Sequence, residues 1–342
     1  MRMISVYGPG VARQVVGKSM AVLAVISVLI GGRWAAFSVQ DLGSPSAAAR
    51  STGHDGLWLG HAWVDGRKSA ADVAALAQQL HGGGITDLFV HVGPLSDDGS
   101  LDPAKAPRAT WFAQQVHELI PGVRVQAWLG DEIEPDGRMN LEDPAVRARI
   151  VTSARQVMAR GFDGVHLDLE PVGDADPGFL ELLDAVRPVV HAAGGVLSVS
   201  GEQVEPEPGL RWAMAAAEGR DSWWSAGYLH QVAERVDEVA LMTYDTALWS
   251  QSAYSGFVRD ETETAMAAVP SDVELLIGLP AYHDAHSLGH SSSAETVAAA
   301  LRGVRLGLPG GVPSGRSFGV AMYVDFAATA SDWSAYYADW VR

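Results

Sequence analysis

The stretch GFDGVHLDLEP (161–171) alternates Val165, Leu167 and Leu169 with His166, Asp168 and Glu170. A period of two marks a β-strand whose faces meet different surroundings. Helical patterns lie on both sides of the segment, which argues for a parallel strand covered by helices rather than one with a face in water. The three ionisable side chains then point toward the middle of the protein. Burying them is costly unless each is paired or put to use.

Outward from this strand, short apolar runs and longer helical patterns take turns. The other strand candidates are LWLGHAW (57–63), ITDLFVHV (85–92), VRVQAWLG (123–130), GVLSVS (195–200), VDEVALMTY (236–244), VELLIGLPAY (273–282) and SFGVAMYV (317–324). Helix candidates between them include 69–81, 143–160, 176–193 and 293–304, several with Ser or Asp in capping position. Eight strand–helix units over roughly 280 residues fit a (β/α)₈ barrel, whose usual size is ~250 residues. A doubly wound sheet would carry a Gly-rich phosphate loop after its first strand, and GHAWVDG (60–66) is not one. In a barrel, active-site groups sit at the carboxyl ends of strands. Glu170 closes the fourth strand there, with Asp168 and His166 successively deeper.

Bulk properties narrow the function. The 342 residues include 48% hydrophobic ones, enough for a sizeable core, and the net charge of −17 argues against a nucleic-acid-binding surface. With no cysteine, disulfides, thiolate metal sites and a cysteine nucleophile are excluded. Arg2, Arg13 and Lys18 precede the apolar run MAVLAVISVLIGG (20–32), the pattern of an export signal. The run is short for a membrane span of ~20 residues, although WAAFSV (34–39) could extend it. Residues 1–50 are therefore expected to be a signal peptide or signal anchor plus linker, contributing nothing to a barrel over 51–342. The barrel domain would lie outside the cell, free or anchored on the outer face of the cytoplasmic membrane, touching membrane through the N-terminal segment alone.

DGVHLDLE (163–170), MTYD (242–245) and GLPAY (278–282) fall in order on the fourth, sixth and seventh strands. In these motifs the chain resembles glycoside hydrolase family 18, the chitinase and endo-N-acetylglucosaminidase family. That family's fourth strand carries Asp-Gly-x-Asp-x-Asp-x-Glu, its sixth commonly ends in Met-x-Tyr-Asp, and its seventh has a segment like GLPAY. The sequence departs from the family in three places. His166 replaces the middle Asp, AWLGDE (127–132) stands where a Ser-x-Gly-Gly stretch is typical, and Tyr323 in AMYVDF (321–326) replaces a Trp.

The resemblance implies retaining hydrolysis of N-acetylglucosamine-containing glycans, assisted by the substrate's own acetamido group and needing no cofactor. Glu170 would be the general acid, Asp168 would orient the acetamido group, and Tyr244 would donate a hydrogen bond to its oxygen. Asp245, Tyr282 and Tyr323 would line the subsite. In the family the inner Asp shares a proton with the catalytic one, so His166 is expected to take over as hydrogen-bond partner of Asp168.

Trp63, Trp128 and Trp249 are further sugar-contact candidates, since aromatic faces stack on sugar rings and these positions follow strands. Trp249, with Tyr254 and Phe257, is read as lying in a loop after MTYD. Trp333, Tyr336, Tyr337 and Trp340 have helical spacing and read as packing. Two other classes stay open. One is a non-catalytic glycan-binding protein of the cell envelope. The other is a metal-dependent hydrolase using His61, His91 and His166 beside the carboxylates, although no tight ligand motif appears.

Overall fold

The computed structural model describes residues 34–133, 138–206, 223–283 and 289–342, together with Gly32. Eight parallel strands close into a barrel in chain order: β1 (Asp55–Leu59), β2 (Ile85–His91), β3 (Arg124–Glu132), β4 (Gly164–Glu170), β5 (Val196–Gly201), β6 (Glu238–Leu241), β7 (Glu274–Pro280) and β8 (Phe318–Tyr323). All eight match runs expected from the sequence. Around them lie helices α1 (Ala70–Leu80), α2 (Ala109–Leu119), α3 (Pro144–Met158), α4 (Pro177–Ala192), α5 (Ala226–Ala233), α6 (Gln251–Ala268), α7 (Val297–Gly307) and α8 (Ala330–Ala335). The last of these continues as a π-helical turn over Tyr336–Val341.

Side-chain caps set several helix starts. Asp143 and Asp176 accept backbone N–H groups ahead of Pro144 and Pro177, and Ser225, Ser250 and Thr296 do the same for α5, α6 and α7. The main apolar core fills the space between barrel and helices, drawing on outward residues such as Val165, Leu167 and Leu169 of β4. A smaller cluster inside the barrel joins Trp58, Phe89, Trp128, Ala240, Leu276 and Ala321. The two faces of each strand thus serve different layers, as the alternation in 164–170 requires.

At the amino ends of the strands the interior is polar. Arg124 donates to both oxygens of Asp87 (2.6 Å each), to Glu274 (2.8 Å) and to Glu238 (3.1 Å), while Gln126 donates to Asp87 and Glu238. Burial, then Asp87 and Glu274, push the Glu238 carboxyl well above its ordinary range. Asp55 anchors the C-terminal turn by accepting from Tyr336 (2.8 Å) and Trp340 (2.9 Å). Both aromatics are buried, as their spacing predicted.

Two expectations about elements need correction. The segment LWLGHAW breaks after Leu59, and His61–Trp63 form a 3₁₀ turn. Trp58 rather than Trp63 is therefore the inward tryptophan of the first strand. The stretch read as a loop after MTYD is mostly α6, which buries Tyr254 and Phe257. Its small residues allow close helix packing rather than a mobile turn.

Residues before 51 also contact the barrel unit. Residues 34–40 are helical, Phe37 is buried edge-on against Phe257 (5.4 Å between centroids), and Arg302 donates to the Asp41 side chain at 2.7 Å. This packing differs from the expectation that everything before residue 51 stands apart. The apolar run over 20–31 lies outside the described residues. Among those described, no helix is long and apolar enough to cross a membrane.

Candidate active site at the carboxyl ends of the strands

The inward face of β4 carries His166, Asp168 and Glu170 at increasing height. Gly164 starts it for a steric reason: a Cβ there would sit 2.5 Å from the Val196 carbonyl of β5. Asp163, which also matches the family pattern, is tied down outside the barrel, accepting from His117 (2.7 Å) and the Val125 N–H (2.8 Å).

Asp168 accepts from the Trp128 indole N–H at 2.7 Å through Oδ2. Its other oxygen, Oδ1, is buried and meets no N–H donor, while the Asp168 carboxyl also shares a hydrogen bond with protonated Glu170. A buried acceptor with no N–H partner at a cleft can take one from a ligand. Burial pushes the Glu170 carboxyl well above its ordinary value, and the neighbouring charges of Asp168, Glu202 and Asp245 add to the effect. Glu170 therefore holds its proton where an exposed carboxyl would be ionised.

Two cavities meet at this pair of carboxyls. One is walled by Trp58, Ser200, Met242, Tyr244, Asp245 and Tyr323. The other runs toward His91, Trp128, Asp131, Glu132 and Arg138. Tyr323 stacks on Tyr244 (5.3 Å, 21° between planes), and burial raises the Tyr244 phenol well above its ordinary value. Gly278, the glycine of GLPAY, makes room for this ring, because a Cβ there would lie 3.0 Å from it. Tyr282 donates to Asp245 Oδ1 at 2.5 Å and stacks on His290.

Asp245 and Ala247 adopt left-handed backbone conformations, with φ of 59° and 57°. Buried Glu295 stabilises that turn by accepting from the Asp245 N–H (2.8 Å), the Thr246 N–H (2.9 Å) and the Thr246 hydroxyl (2.7 Å).

The structure thus gathers Asp168, Glu170, Tyr244, Asp245, Tyr282, Tyr323 and Trp128 around one cleft. Three expected residues lie elsewhere. Trp63 is buried, its N–H donated to Asp325 at 2.7 Å, so its ring serves packing. Trp249 is 74% exposed, edge-on to Trp34 and outside both cavities.

His166 is fully buried beneath the cleft and is not the partner of Asp168. It stacks on Phe89 and bonds with Trp58 (3.1 Å), Ser198 (2.7 Å) and Ser200 (3.1 Å). Burial pushes its pKa down to about 3, so the ring is neutral.

The three histidines of the metal-site alternative do not converge either. His61 faces the carbonyls of His91 and Lys105. Among the described residues, the groups close enough to share a cation are Asp245–His290–Glu295 and Asp87–Glu238–Glu274, neither of which includes them.

Sequence reasoning missed Trp58, Glu202 and Glu295. Strand parity could have found Trp58, which is in register with Phe89 of β2. Nothing local marked the two glutamates, which reach the site from the end of β5 and from just before α7.

The closed parallel barrel is a fold that this chain shares with several chitinases and spore cortex-lytic enzymes of known structure. It is similar to the spore cortex-lytic enzyme SleL of Bacillus megaterium QM B1551 (15% identity over 86% of this chain and 76% of that one, TM-score 0.56). It is also similar to a chitinase from Chromobacterium violaceum ATCC 12472 (14% identity, 83% and 98%, TM-score 0.56). A third likeness is to a glycoside hydrolase family 18 N-acetylglucosaminidase from Paenibacillus barengoltzii (13% identity, 83% and 99%, TM-score 0.53). At these identities the likeness establishes the fold. No protein-family model and no curated protein sequence matches the chain.

Proposed function

We propose that this protein is an exported glycoside hydrolase acting on N-acetylglucosamine-containing glycans by a retaining, substrate-assisted mechanism. The observation that carries the proposal is the pairing of a proton-holding Glu170 with Asp168, whose buried Oδ1 has no N–H partner, in an aromatic-walled cleft. The fold shared with chitinases and a cortex-lytic enzyme supports it.

In this reading Glu170 gives its proton to the glycosidic oxygen as the bond to the anomeric carbon breaks. The acetamido oxygen attacks that carbon, with Tyr244 donating a hydrogen bond to it. Asp168 accepts the acetamido N–H and stabilises the positive charge that develops there. Glu170, now ionised, takes a proton from the water that opens the cyclic intermediate, which restores the acid. Asp245, Tyr282, Tyr323 and Trp128 shape the sugar subsites.

The test is release of reducing ends from N-acetylglucosamine oligomers. Glu170→Gln keeps the shape but has no proton to give, and should lower the rate by about 10²–10⁴-fold with binding retained. A variant keeping more than a tenth of wild-type activity would refute the assignment of Glu170. Oligomer binding by the wild type with no release would make the protein a glycan-binding barrel instead.

A further inference from the structure

Trp128, which lies in the departing stretch AWLGDE (127–132), and His166 are cross-strand neighbours in the β3–β4 register. We propose that they form one arrangement, in which Trp128 is the positioning residue that holds Asp168 toward the cleft and His166 offers Asp168 no alternative partner.

The indole N–H can only donate. Trp58 gives its own to His166 Nε2 at 3.1 Å, which fixes that nitrogen as an acceptor. The ring hydrogen then sits on Nδ1 and goes to Ser198 Oγ at 2.7 Å, and Ser198 in turn donates to Gln126 Oε1 at 2.7 Å. Both nitrogens of His166 are committed, and the low pKa of about 3 denies it a second proton at neutral pH. Asp168 rotated inward would find no proton on His166, whose two ring nitrogens are already engaged.

Held outward, Asp168 meets Trp128 at 2.7 Å, within the range of a strong charge-assisted bond. The indole is set by its surroundings. It is 9% exposed, edge-on to His91 (4.7 Å) and within 6.1 Å of Tyr323. Gly130, beside Asp168 in the register, leaves space for the contact, since a Cβ there would lie 3.1 Å from Trp128 Nε1. The catalytic aspartate would therefore work from a fixed position rather than by turning between two partners.

The proposal rests on the glycosidase reading for its kinetic arm, so a second arm is independent of activity. In the ¹⁵N–¹H spectrum of the full chain, the indole signal lost in Trp128→Phe should lie downfield, and Asp168→Asn should move it upfield. An indole signal indifferent to Asp168→Asn would overturn the proposal whether or not the protein cleaves glycans.

In kinetics, Trp128→Phe keeps an aromatic ring in the subsite wall and should lower kcat about tenfold or more, as loss of a bond to a charged group implies, with a smaller change in KM. His166→Asp should lower kcat in the wild-type background, where it breaks the Trp58–Ser198 chain. In the Trp128→Phe background it should raise kcat, because a carboxyl at 166 can share a proton with Asp168. The same effect of His166→Asp in both backgrounds would also overturn the coupling. Gly130→Ala, which crowds the indole without removing it, should mimic Trp128→Phe.

Discussion

At Glu170, protonation state and position are set by different neighbours. Its place in β4 gives it the mouth of the cleft, whereas burial, Asp168 and Glu202 keep it neutral. Glu202 directly follows β5 and accepts the Val172 N–H at 3.1 Å, a bond that Gln can also accept. Glu202→Gln should then leave the loop in place and remove one negative neighbour. The alkaline limb of kcat/KM, where the acid loses its proton, should move to lower pH, and an unmoved limb would show that Glu202 does not act on Glu170. Stability follows the same group. The folded site favours the neutral carboxyl, so wild-type protein loses stability as pH rises above the ordinary value of 4.5 and through the folded midpoint. Glu170→Gln carries no such penalty and should melt higher than wild type at alkaline pH, with the difference vanishing in acid. Equal melting temperatures across the range would contradict the raised value.

Among the elements, the helical segment over 34–40 makes the most unexpected contact. Its Phe37 carbonyl lies where a side chain on Gly256 of α6 would be, 1.8 Å from a Cβ built there. Gln40 and Asp41 continue the contact through Asp260 and Arg302. A helix interior normally favours Ala over Gly by about 0.8–1 kcal/mol, so Gly256 makes sense only if the segment is seated. Gly256→Ala should lower the melting temperature of the full chain. In a chain beginning at Ser51 it should be neutral or stabilising, because the clash is gone and the propensity gain remains. The same sign in both backgrounds would mean that residues 34–40 do not pack on α6 in solution. The shortened chain should itself be less stable, having lost the burial of Phe37.

Across the whole molecule, the barrel interior is polar at both ends of its axis and apolar between. The lower end sets Arg124 against Asp87, Glu238 and Glu274, with His54 adding a contact to Glu274 at 3.1 Å. Breaking a buried ionic cluster by removing one partner costs about 3–5 kcal/mol, since the remaining charges are left uncompensated. Arg124→Met should show a loss at or below the lower end of that range in urea unfolding near neutral pH, because a third of the Arg124 side chain meets solvent. The loss should shrink in acid, because burial and its acidic neighbours already raise the Glu238 carboxyl, and once it takes up a proton it needs the guanidinium less. A pH-independent loss would point to missing packing rather than missing charge.

The amino-acid sequence by itself determined the strand order, the faces of β4 and the height of Glu170 above Asp168 and His166. Each follows from local periodicity: a period of two assigns faces, and caps and turns bound the elements. Only the tertiary structure decided which partners those faces meet. Trp58 reaches His166 across 108 residues and Trp128 reaches Asp168 across 40, so neither pairing leaves a local pattern. Nor could spacing reveal that His166 is committed to Ser198, or that Glu202 and Glu295 serve the cleft. Seating residues 34–40 likewise depends on a glycine more than 200 positions away. Closing the barrel brings distant strands side by side, and the chemistry of the cleft comes from what those strands place against one another.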